Sequence, residues 1–446
     1  MNSKFSISVK DIRAIKNAEI ELNGITVLSG VNGCGKTTIS KLLYSFIKTS
    51  VNFNTVVSDL YKKELSFSSD FLDDFVPRKN KKDFESDDEI KFSRVNEMDA
   101  PVSKTYYSED YLSEVIIPRI RLIRQKYEEK EYSISSTAFS RLLYVYERWV
   151  RKINVKNVVE LLSDYEAYIT NLMNEISELK INRNLKVFHV QNSKYFNENT
   201  EKWNFSIKEY GSSLINRKNK SVVLQKSFSD AFYIDVPTVF DNASRGVSAL
   251  AKDSVLADLR KALSNNKEFA VNENEEISGI ITDALNGKIS IRNDMFSRIF
   301  IYTSKDGLEI PLSQAASGLK CFAVLERLYA NGCLRDDTLL IVDEPEVHLH
   351  PKWIVEYARV LVLIQKHLHT TILIASHNPD MISAIKYISA KENTVKDLIF
   401  YIAKETDADR SGKYSFYNLE TDIEEIFSSF NIALDRINQY GAFDDE

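Results

Sequence analysis

The spacing of hydrophobic residues predicts that the chain opens with a β-hairpin and a buried strand. Apolar and polar residues alternate over residues 6–9 and 18–22, which indicates two half-buried strands joined by a basic turn. Residues 25–28 (ITVL) are apolar or β-branched without a break, as expected of a third strand. Helical spacing begins only after a glycine-rich stretch, so a turn separates this strand from the first helix.

The middle of the chain is predicted to be mainly helical. Residues 77–89 (PRKNKKDFESDDE) set blocks of opposite charge side by side, which is typical of a solvated loop or insertion. Helical spacing dominates from residue 108 to 180. One helix there is predicted to bury a stripe that lasts about three heptads, too short for a long coiled-coil arm. The stripe consists of Val158, Leu161, Leu162, Tyr165, Ile169, Leu172, Met173, Ile176 and Leu179.

The rest of the chain is predicted to alternate between strands and helices. Predicted strands cover residues 186–192, 202–210, 221–226, 231–237, 287–294, 298–304, 338–342, 370–376, 398–405 and 413–420. Predicted helices cover residues 244–263, 277–285, 317–330 and 423–440. The chain is therefore predicted to have an α/β fold, a mixed sheet flanked by helices with a mainly helical insertion. Three segments are expected: residues 1–50, 51–184 and 185–446.

Composition and charge are ordinary for a globular protein. Of the 446 residues, 43% are hydrophobic and 27% are charged, and the formal charge of −6 means that any nucleic-acid site would have to be local. No run of roughly 18 apolar residues occurs, and the N-terminus lacks a signal-peptide core. The three cysteines lack metal-ligand spacing, and their low, odd number favours a reducing compartment. We therefore expect a cytoplasmic protein.

The glycine-rich stretch between the third strand and the first helix fits the phosphate-binding pattern G-x-x-x-x-G-K-[ST]. Its glycines let the backbone aim N–H groups at phosphate oxygens, and the helix start adds the positive end of its dipole. The lysine can reach the terminal phosphates, and the hydroxyl after it can bind Mg²⁺. The residues expected to bind the nucleotide are Gly30, Asn32, Gly33, Cys34, Gly35, Lys36, Thr37 and Thr38.

Three later features complete the candidate site. Ser317 and Gly318 begin a helix, which offers a second anion site. Asp343 and Glu344 follow the apolar strand TLLIV, at the strand end where α/β sheets bind ligands. There Asp343 can hold Mg²⁺ and Glu344 can take a proton from an attacking water. His377 follows the strand TTILIAS and can bind the γ-phosphate.

This set of motifs resembles the ABC-type ATPase head, and within it the SMC-like and OLD-like branch. The resemblance rests on KDIRAIKNAEIEL, GVNGCGKTT, ASGLK, LLIVDEPEVHLHP and ILIASH, and it covers residues 4–47 and 307–385. It implies a P-loop NTPase fold, ATP and Mg²⁺ as ligands, and two heads that sandwich two ATP molecules. It also implies that Ser317 and Gly318 reach the γ-phosphate bound by a partner protomer. The start ASGLK, in place of an LSGGQ-type start, argues against a transporter.

The EPExHLHP form of residues 344–351 further resembles the free-standing ATPases of bacterial anti-phage systems. The resemblance favours the Septu ATPases (PtuA), and the PARIS ATPases come next. These act with a separately encoded nuclease, of the HNH type in Septu and of the Toprim type in PARIS. The resemblance implies that ATP-dependent head engagement assembles and gates the nuclease. The expected assembly is a head-to-head dimer or a larger homo-oligomer up to a hexamer, with indirect contact to DNA and no membrane partner.

Other functions remain open from the sequence. An SMC-like DNA-repair ATPase would bind DNA directly through a basic stripe, for which residues 118–126 (PRIRLIRQK) are the best candidate, although the following EEKE favours a solvated helix face. A transporter ATPase would act with a membrane partner. An OLD-like nuclease would use Asp407 and Asp409, but too few residues follow His377 for a Toprim domain, and a hairpin tip is favoured.

Four residues are candidates for further roles at the site. Arg13 and Lys16, in the first basic turn, are candidates to lie near the nucleotide base. Gln191 is a candidate for the glutamine that couples Mg²⁺ to a lobe motion, although no motif supports it. Cys34 could make the phosphate loop sensitive to oxidants, but a small filler residue is the favoured interpretation.

Overall fold

The computed structural model describes residues 5–61, 71–77, 112–235, 237–240, 254–264, 275–293, 298–406 and 412–427. The chain divides into two compact units: unit 1, which comprises Met1–Val51 and Phe188–Glu446, and unit 2, which comprises Asn52–Val187. Several predictions made from the sequence lie outside the described residues. These are the charged loop from residue 78 onward, the first part of the helix predicted at 244–263, Asp407 and Asp409, and the helix predicted at 423–440 beyond residue 427.

Unit 1 is built on a mixed sheet, which confirms the predicted α/β fold. Its strands are β1 (Phe5–Ile12), β2 (Ile15–Leu22), β3 (Ile25–Ser29), β4 (Asn204–Glu209), β5 (Ser212–Ser213), β6 (Ile215–Asn216), β7 (Ser221–Val222), β8 (Asp230–Ile234), β9 (Gly287–Asn293), β10 (Arg298–Ser304), β11 (Glu309–Pro311), β12 (Thr338–Asp343), β13 (Thr371–Ser376), β14 (Leu398–Glu405) and β15 (Tyr414–Glu420). Among the described residues, ten of them form one sheet in the order β5-β4-β1-β2-β15-β14-β3-β13-β12-β8. Strands β9, β10 and β11 form a second sheet, and β6 pairs with β7.

The large sheet has an antiparallel half and a parallel half. Strand β1 pairs antiparallel with β2 and with β4, and β14 pairs antiparallel with β15, so both predicted hairpins are confirmed. The strands β14, β3, β13, β12 and β8 run parallel to one another. All residues of β3 and β12 are buried, as expected of parallel strands covered on both faces. The unbroken apolar runs ITVL and TLLIV therefore mark the centre of the fold.

Helices cover the sheet of unit 1. They are α1 (Lys36–Val51), α6 (Leu185–Phe196), which belongs to unit 1 from Phe188 onward, α7 (Ser254–Leu263), α8 (Glu275–Leu285), α9 (Ser317–Ala330), α10 (Pro351–Leu368) and α11 (Pro379–Lys391). Helices α9 and α10 are joined by the ring of Phe322, which packs edge-on against Trp353 and Tyr357 at centroid distances of 5.9 and 5.4 Å. These rings belong to one buried apolar cluster with the parallel strands, so the start of α9 is held by the core.

One predicted strand is wrong, and another is shorter than predicted. Residues 186–192, predicted as a strand, lie in helix α6, where Leu185, Phe188, His189 and Asn192 are buried at helical spacing. The Asn184 side chain accepts a hydrogen bond from the backbone N–H of Lys186 and caps the start of this helix. The cap favours a helix, whereas the β-branched valines that follow favour a strand.

Of the strand predicted at residues 221–226, only Ser221–Val222 is confirmed. The buried Gln225 side chain bonds both the backbone N–H and the carbonyl of Phe228, each at 2.8 Å. The Gln225 side chain thus takes the place of a neighbouring strand as the hydrogen-bond partner of the Phe228 backbone, and the two bonds hold the chain in a turn.

The part of unit 2 that the structure describes is helical. Its helices are α2 (Phe53–Leu60), α3 (Ile117–Glu128), which follows a π-helical turn at Leu112–Ile116, α4 (Ser136–Trp149) and α5 (Val158–Ile181). The buried stripe predicted for α5 is confirmed except for Met173, which is half-buried. Its aromatic centre is formed by Phe71, Tyr146 and Tyr165, whose ring centroids lie 5.1–5.9 Å apart.

The basic residues of segment 118–126 pair with carboxylates inside unit 2. Arg121 and Arg124 bond the two oxygens of Glu166 at 2.5 and 2.6 Å, and Arg119 pairs with Asp73. The charge balance favoured by the sequence is therefore present, but the arginines are balanced by Asp73 and Glu166 rather than by the following EEKE, and the Arg119 side chain is only 9% exposed. In the part of the chain that the structure describes, no helix is both long and apolar enough to cross a membrane.

Candidate nucleotide-binding site

The candidate site lies at one edge of the parallel half of the sheet. Strands β3, β13 and β12 are neighbours, and in their register Ser29 lies opposite Ser376 while Ala375 lies opposite Asp343. All three strands therefore end together. The phosphate loop (residues 30–37) leaves β3, the Asp343-Glu344 pair closes β12, and His377 follows β13, so three predicted features meet at one edge.

The phosphate loop has a backbone that only glycine adopts readily. Gly30, Gly33 and Gly35 have φ values of 148°, 81° and 107°. Two of them are also enclosed. A Cβ at Gly35 would lie 2.4 Å from Cγ1 of Ile15, and one at Gly30 would lie 2.7 Å from Cβ of Ala403. Residues of the neighbouring strands β2 and β14 thus pack closely against the loop and restrict its backbone conformation.

Lys36 folds its side chain back over the phosphate loop. It is 3% exposed, and its Nζ donates to the carbonyls of Gly30 and Val31 at 2.8 and 3.1 Å. Asn32 lies on the exposed tip of the loop. The ammonium group therefore sits at the centre of the loop, where a cluster of phosphate oxygens would replace the two carbonyls.

The residues around Lys36 differ in exposure. Thr37 is exposed at the start of α1, whereas Thr38 and Cys34 are buried. The Cys34 sulfur lies 4.0 Å from Lys36 Nζ, but burial raises the pKa of the thiol more than the ammonium lowers it. The thiol is therefore kept protonated, which supports the filler interpretation over oxidant sensitivity.

Asp343 is a buried carboxylate with one oxygen held and one oxygen available. The hydroxyl of Tyr233 donates to its Oδ2 at 2.6 Å, while Oδ1 is buried without a hydrogen-bond partner of ordinary geometry among the described residues. Burial raises the pKa of the carboxyl, and the Tyr233 and Thr37 hydroxyls act in the opposite direction. A buried carboxylate oxygen near a threonine hydroxyl suits Mg²⁺ bound with a nucleotide, which takes one or two carboxylates together with phosphate oxygens.

Glu344 and His377 lie side by side at the ends of their strands. Glu344 is in the left-handed backbone region (φ 48°, ψ 53°), and its N–H donates to the carbonyl of Ala375 at 2.8 Å. Its side chain is 34% exposed, and its Oε1 lies 3.7 Å from Nδ1 of His377. Such a backbone conformation costs about 1–3 kcal/mol in a residue with a side chain, and here it turns the carboxylate toward His377.

Sequence reasoning did not single out Glu346 or Tyr233. Glu346 is buried, and its Oε1 accepts from the Ser376 hydroxyl and from the His377 N–H. The run of acids in Asp343-Glu344-Pro345-Glu346 was a signal for Glu346. An acid that is buried so close to the end of a strand needs a hydrogen-bond partner. Tyr233 gave no signal, because its partner Asp343 is distant in the sequence.

Ser317 and Gly318 contact a different segment from the phosphate loop. The Ser317 hydroxyl is exposed and donates to the carbonyl of His348 at 3.4 Å. A Cβ at Gly318 would lie 2.6 Å from the ring of Trp353, so only glycine fits there. The start of α9 is therefore packed against residues 348–353 of the same chain, with the serine facing outward.

The other candidates have partners of their own. Arg13 bonds Glu198 at 2.6 Å and its guanidinium lies 4.8 Å from the ring centre of Phe196, and Lys16 pairs with Asp11 at 3.2 Å. Gln191 lies inside helix α6 rather than in a loop after a strand. The roles suggested for these three residues stay hypotheses.

We predict that Gly35→Ala removes nucleotide binding, because the new Cβ meets both an unfavourable φ and the Ile15 side chain. Gly307→Ala is the matched control, since Gly307 also has a positive φ of 88° but has open space around it in the β10–β11 turn. Titration with a fluorescent ATP analogue should show at least a roughly 10-fold loss of affinity for the first variant alone, which is about 1.4 kcal/mol. Equal affinities for both variants would contradict this account of the loop.

Comparison with known proteins places the chain in a family. The family model for the AAA ATPase domain matches residues 5–382. A search of the curated proteins gave no match. Similar solved structures include the SMC head domain from Thermotoga maritima, at 10% identity over 94% of this chain and 99% of that one, with a TM-score of 0.36.

Two further structures are similarly distant. The Smc head domain of Pyrococcus furiosus, bound to the C-terminal domain of ScpA, is 11% identical over 96% of this chain and 98% of that one, with a TM-score of 0.33. CbiO1 of Clostridium perfringens, part of an ABC transporter complex, is 17% identical over 57% and 81%, with a TM-score of 0.26. The family match spans the phosphate loop, Asp343, Glu344 and His377, and the chain accordingly belongs to the AAA ATPase domain family.

Proposed function

We propose that this chain is an ABC-type ATPase subunit in which Lys36, Thr37, Asp343, Glu344 and His377 serve one nucleotide. The observation that carries the proposal is the common end of three adjacent parallel strands, which supplies a phosphate loop, an acidic pair and a histidine at one edge. Family membership supports ATP as the nucleotide. The arrangement combines groups that bind phosphates with a carboxylate that can act as a base.

Binding follows from the phosphate loop. The Lys36 ammonium exchanges its two carbonyl partners for phosphate oxygens, which are stronger acceptors because they are charged. The N–H groups of the loop and the first turn of α1 surround the same phosphates. Gly33 is exposed with open space around it, so the backbone can approach a ligand closely at that point.

Asp343 and Thr37 are the residues that fit Mg²⁺. When bound, the ion neutralises charge on the β- and γ-phosphates. Tyr233 fixes one oxygen of Asp343 and leaves the other directed away from that bond. Burial raises the pKa of the Asp343 carboxyl despite the two hydroxyls, and a bound cation would favour its ionised form.

Glu344 is the proposed general base and His377 the group that binds the γ-phosphate. Glu344 is exposed enough to reach water, and its left-handed backbone directs it toward the histidine. A water between this carboxylate and the terminal phosphate would lose its proton to Glu344 as it attacks. His377 lies beside this position, so it can contact the same phosphate.

The active site is proposed to be completed by a second copy of the chain. Ser317 faces outward at the start of α9, and its hydroxyl donates a hydrogen bond to the carbonyl of His348 rather than to the phosphate loop. A helix start that exposes a hydroxyl can bind an anion. We propose that two heads engage so that Ser317 and Gly318 of one protomer meet the γ-phosphate held by the other.

The proposed setting is bacterial anti-phage defence, with ATP-dependent head engagement assembling and gating a separately encoded nuclease. The support is the resemblance of residues 344–351 to the Septu ATPases (PtuA), followed by the PARIS ATPases, which gives an HNH or a Toprim effector respectively. Direct DNA binding, as in an SMC-like repair ATPase, is disfavoured at residues 118–126, since their arginines are engaged by carboxylates.

We predict different defects for two substitutions in the site. Lys36→Ala should weaken ATP binding, because the phosphates lose their cation, and Glu344→Gln should keep ATP bound but slow hydrolysis by about 100-fold or more, because the base is lost. The controls are Lys391→Ala, which alters an exposed side chain on α11, and Glu356→Gln, which alters a side chain on α10 that is 41% exposed and pairs with Arg359 at 4.0 Å. Normal hydrolysis by Glu344→Gln would show that another group is the base.

We predict that a nuclease co-purifies with the tagged chain when it is expressed with its neighbouring genes. An HNH protein would support the Septu assignment and a Toprim protein the PARIS assignment. The Lys36→Ala variant tests whether nucleotide controls the assembly, since it should change the amount of nuclease recovered or its activity. A lone ATP-dependent dimer that retains DNA, with salt-sensitive affinity, would support the repair ATPase instead.

A further inference from the structure

Glu346 is a buried acid that the proposed chemistry leaves without a role. It lies in the single turn Pro345–His348 that follows Glu344, and its side chain is 4% exposed. Its Oε1 accepts hydrogen bonds from the Ser376 hydroxyl at 2.7 Å and from the His377 N–H at 3.0 Å. Burying a carboxylate is costly unless such bonds compensate it, so these contacts must hold firmly.

The same oxygen faces the imidazole of His377. Nδ1 of His377 lies 3.4 Å from Oε1 of Glu346 and 3.7 Å from Oε1 of Glu344. The histidine ring is thus bracketed by two carboxylates, one buried and one partly exposed. Glu346 contacts the residue through its backbone and through its ring, whereas Glu344 contacts the ring alone.

The bonds of Glu346 continue into the start of helix α11. The Ser376 oxygen that donates to Glu346 also accepts from the N–H of Asn378 at 3.0 Å. The Asn378 side chain in turn accepts from the N–H of Met381 and caps the helix. His377 therefore sits between two residues whose positions are both set by hydrogen bonds that begin at Glu346.

We propose that Glu346 is a positioning residue for His377, holding its backbone and its ring beside Glu344 so that the histidine meets the γ-phosphate in one orientation. This inference rests on the proposed function of His377. Glu346 would act through the histidine, since the donors to its carboxylate are the Ser376 hydroxyl and the His377 N–H, both at the end of β13. Its removal should therefore lower turnover while leaving the phosphate loop able to bind ATP.

Two substitutions separate the geometry from the charge. Glu346→Gln keeps an oxygen that can accept both hydrogen bonds but removes the negative charge near Nδ1. Glu346→Ala removes the acceptor as well. We expect kcat to fall at least about 10-fold in Glu346→Ala and less in Glu346→Gln, with KM for ATP changing less than about 3-fold in both.

The test is a double-mutant cycle with His377→Ala. If Glu346 acts through His377, adding Glu346→Ala to His377→Ala should lower kcat no further than about 2-fold, because the group being positioned is already absent. Independent effects that multiply would overturn the proposal. Should the alanine variant fail to fold, the same cycle with Glu346→Gln gives the decision, and Glu356→Gln serves as the surface control.

The cycle also separates this inference from the proposed function. If the wild-type chain binds ATP but does not hydrolyse it, the proposed ATPase mechanism fails. The cycle can then be read from the ratio of ATP to ADP affinity, which reports contact with the γ-phosphate. A lower ratio of ATP to ADP affinity in Glu346→Ala and in His377→Ala, with no further decrease in the double variant, would support the proposal that Glu346 positions His377. An unchanged ratio in Glu346→Ala would overturn it.

Discussion

The parallel register of β3, β13 and β12 is the constraint on which the site depends. These strands are buried along almost their whole length, so they are held mainly by apolar packing and backbone bonds. The charged groups of the candidate site lie where the strands end. Because Ser29 and Ser376 are paired, as are Ala375 and Asp343, the ends coincide and the groups that follow them converge.

Burying acids at this edge of the sheet is energetically unfavourable, and specific hydrogen bonds offset the unfavourable free energy. Asp343 and Glu346 are both buried acids, and each has a specific donor, Tyr233 for the first and Ser376 for the second. Glu344 carries backbone strain that its bond to the Ala375 carbonyl helps to offset. The apolar core beneath these groups therefore supports a small polar network whose members hold one another in place.

Much of this organisation could be predicted from the sequence because it is encoded locally. Unbroken apolar runs marked the central strands, glycine spacing marked the phosphate loop, alternation marked the first hairpin, and a polar tip between two strand-like segments marked the second. Residues 186–192 were misread because valines suggest a strand, while the decisive cap at Asn184 lies outside that run. Tyr233 could not be found at all, since its role exists only when β8 is placed beside β12. The partners of Glu346 likewise come from another strand.

The proposal that a second chain completes the site gives meaning to the exposed start of α9. Gly318 packs closely against Trp353, so the backbone at the start of α9 lies against residues 348–353 and Ser317 is presented on the surface. An exposed hydroxyl at a helix start can recognise an anion brought by a partner. ATP would then join two heads, and its hydrolysis would release them, which is how a nucleotide can control an attached effector.

The central claim, that each ATP is held between two chains, is tested most directly by mixing two inactive variants. Lys36→Ala should lack a working phosphate loop, and Ser317→Arg should block the surface that meets the partner's nucleotide. In a mixed dimer one site contains both defects and the other contains neither, so ATPase activity should reappear on mixing. If Ser317→Arg alone keeps its activity, or if the mixture stays as inactive as its components while each variant is folded, the claim is wrong.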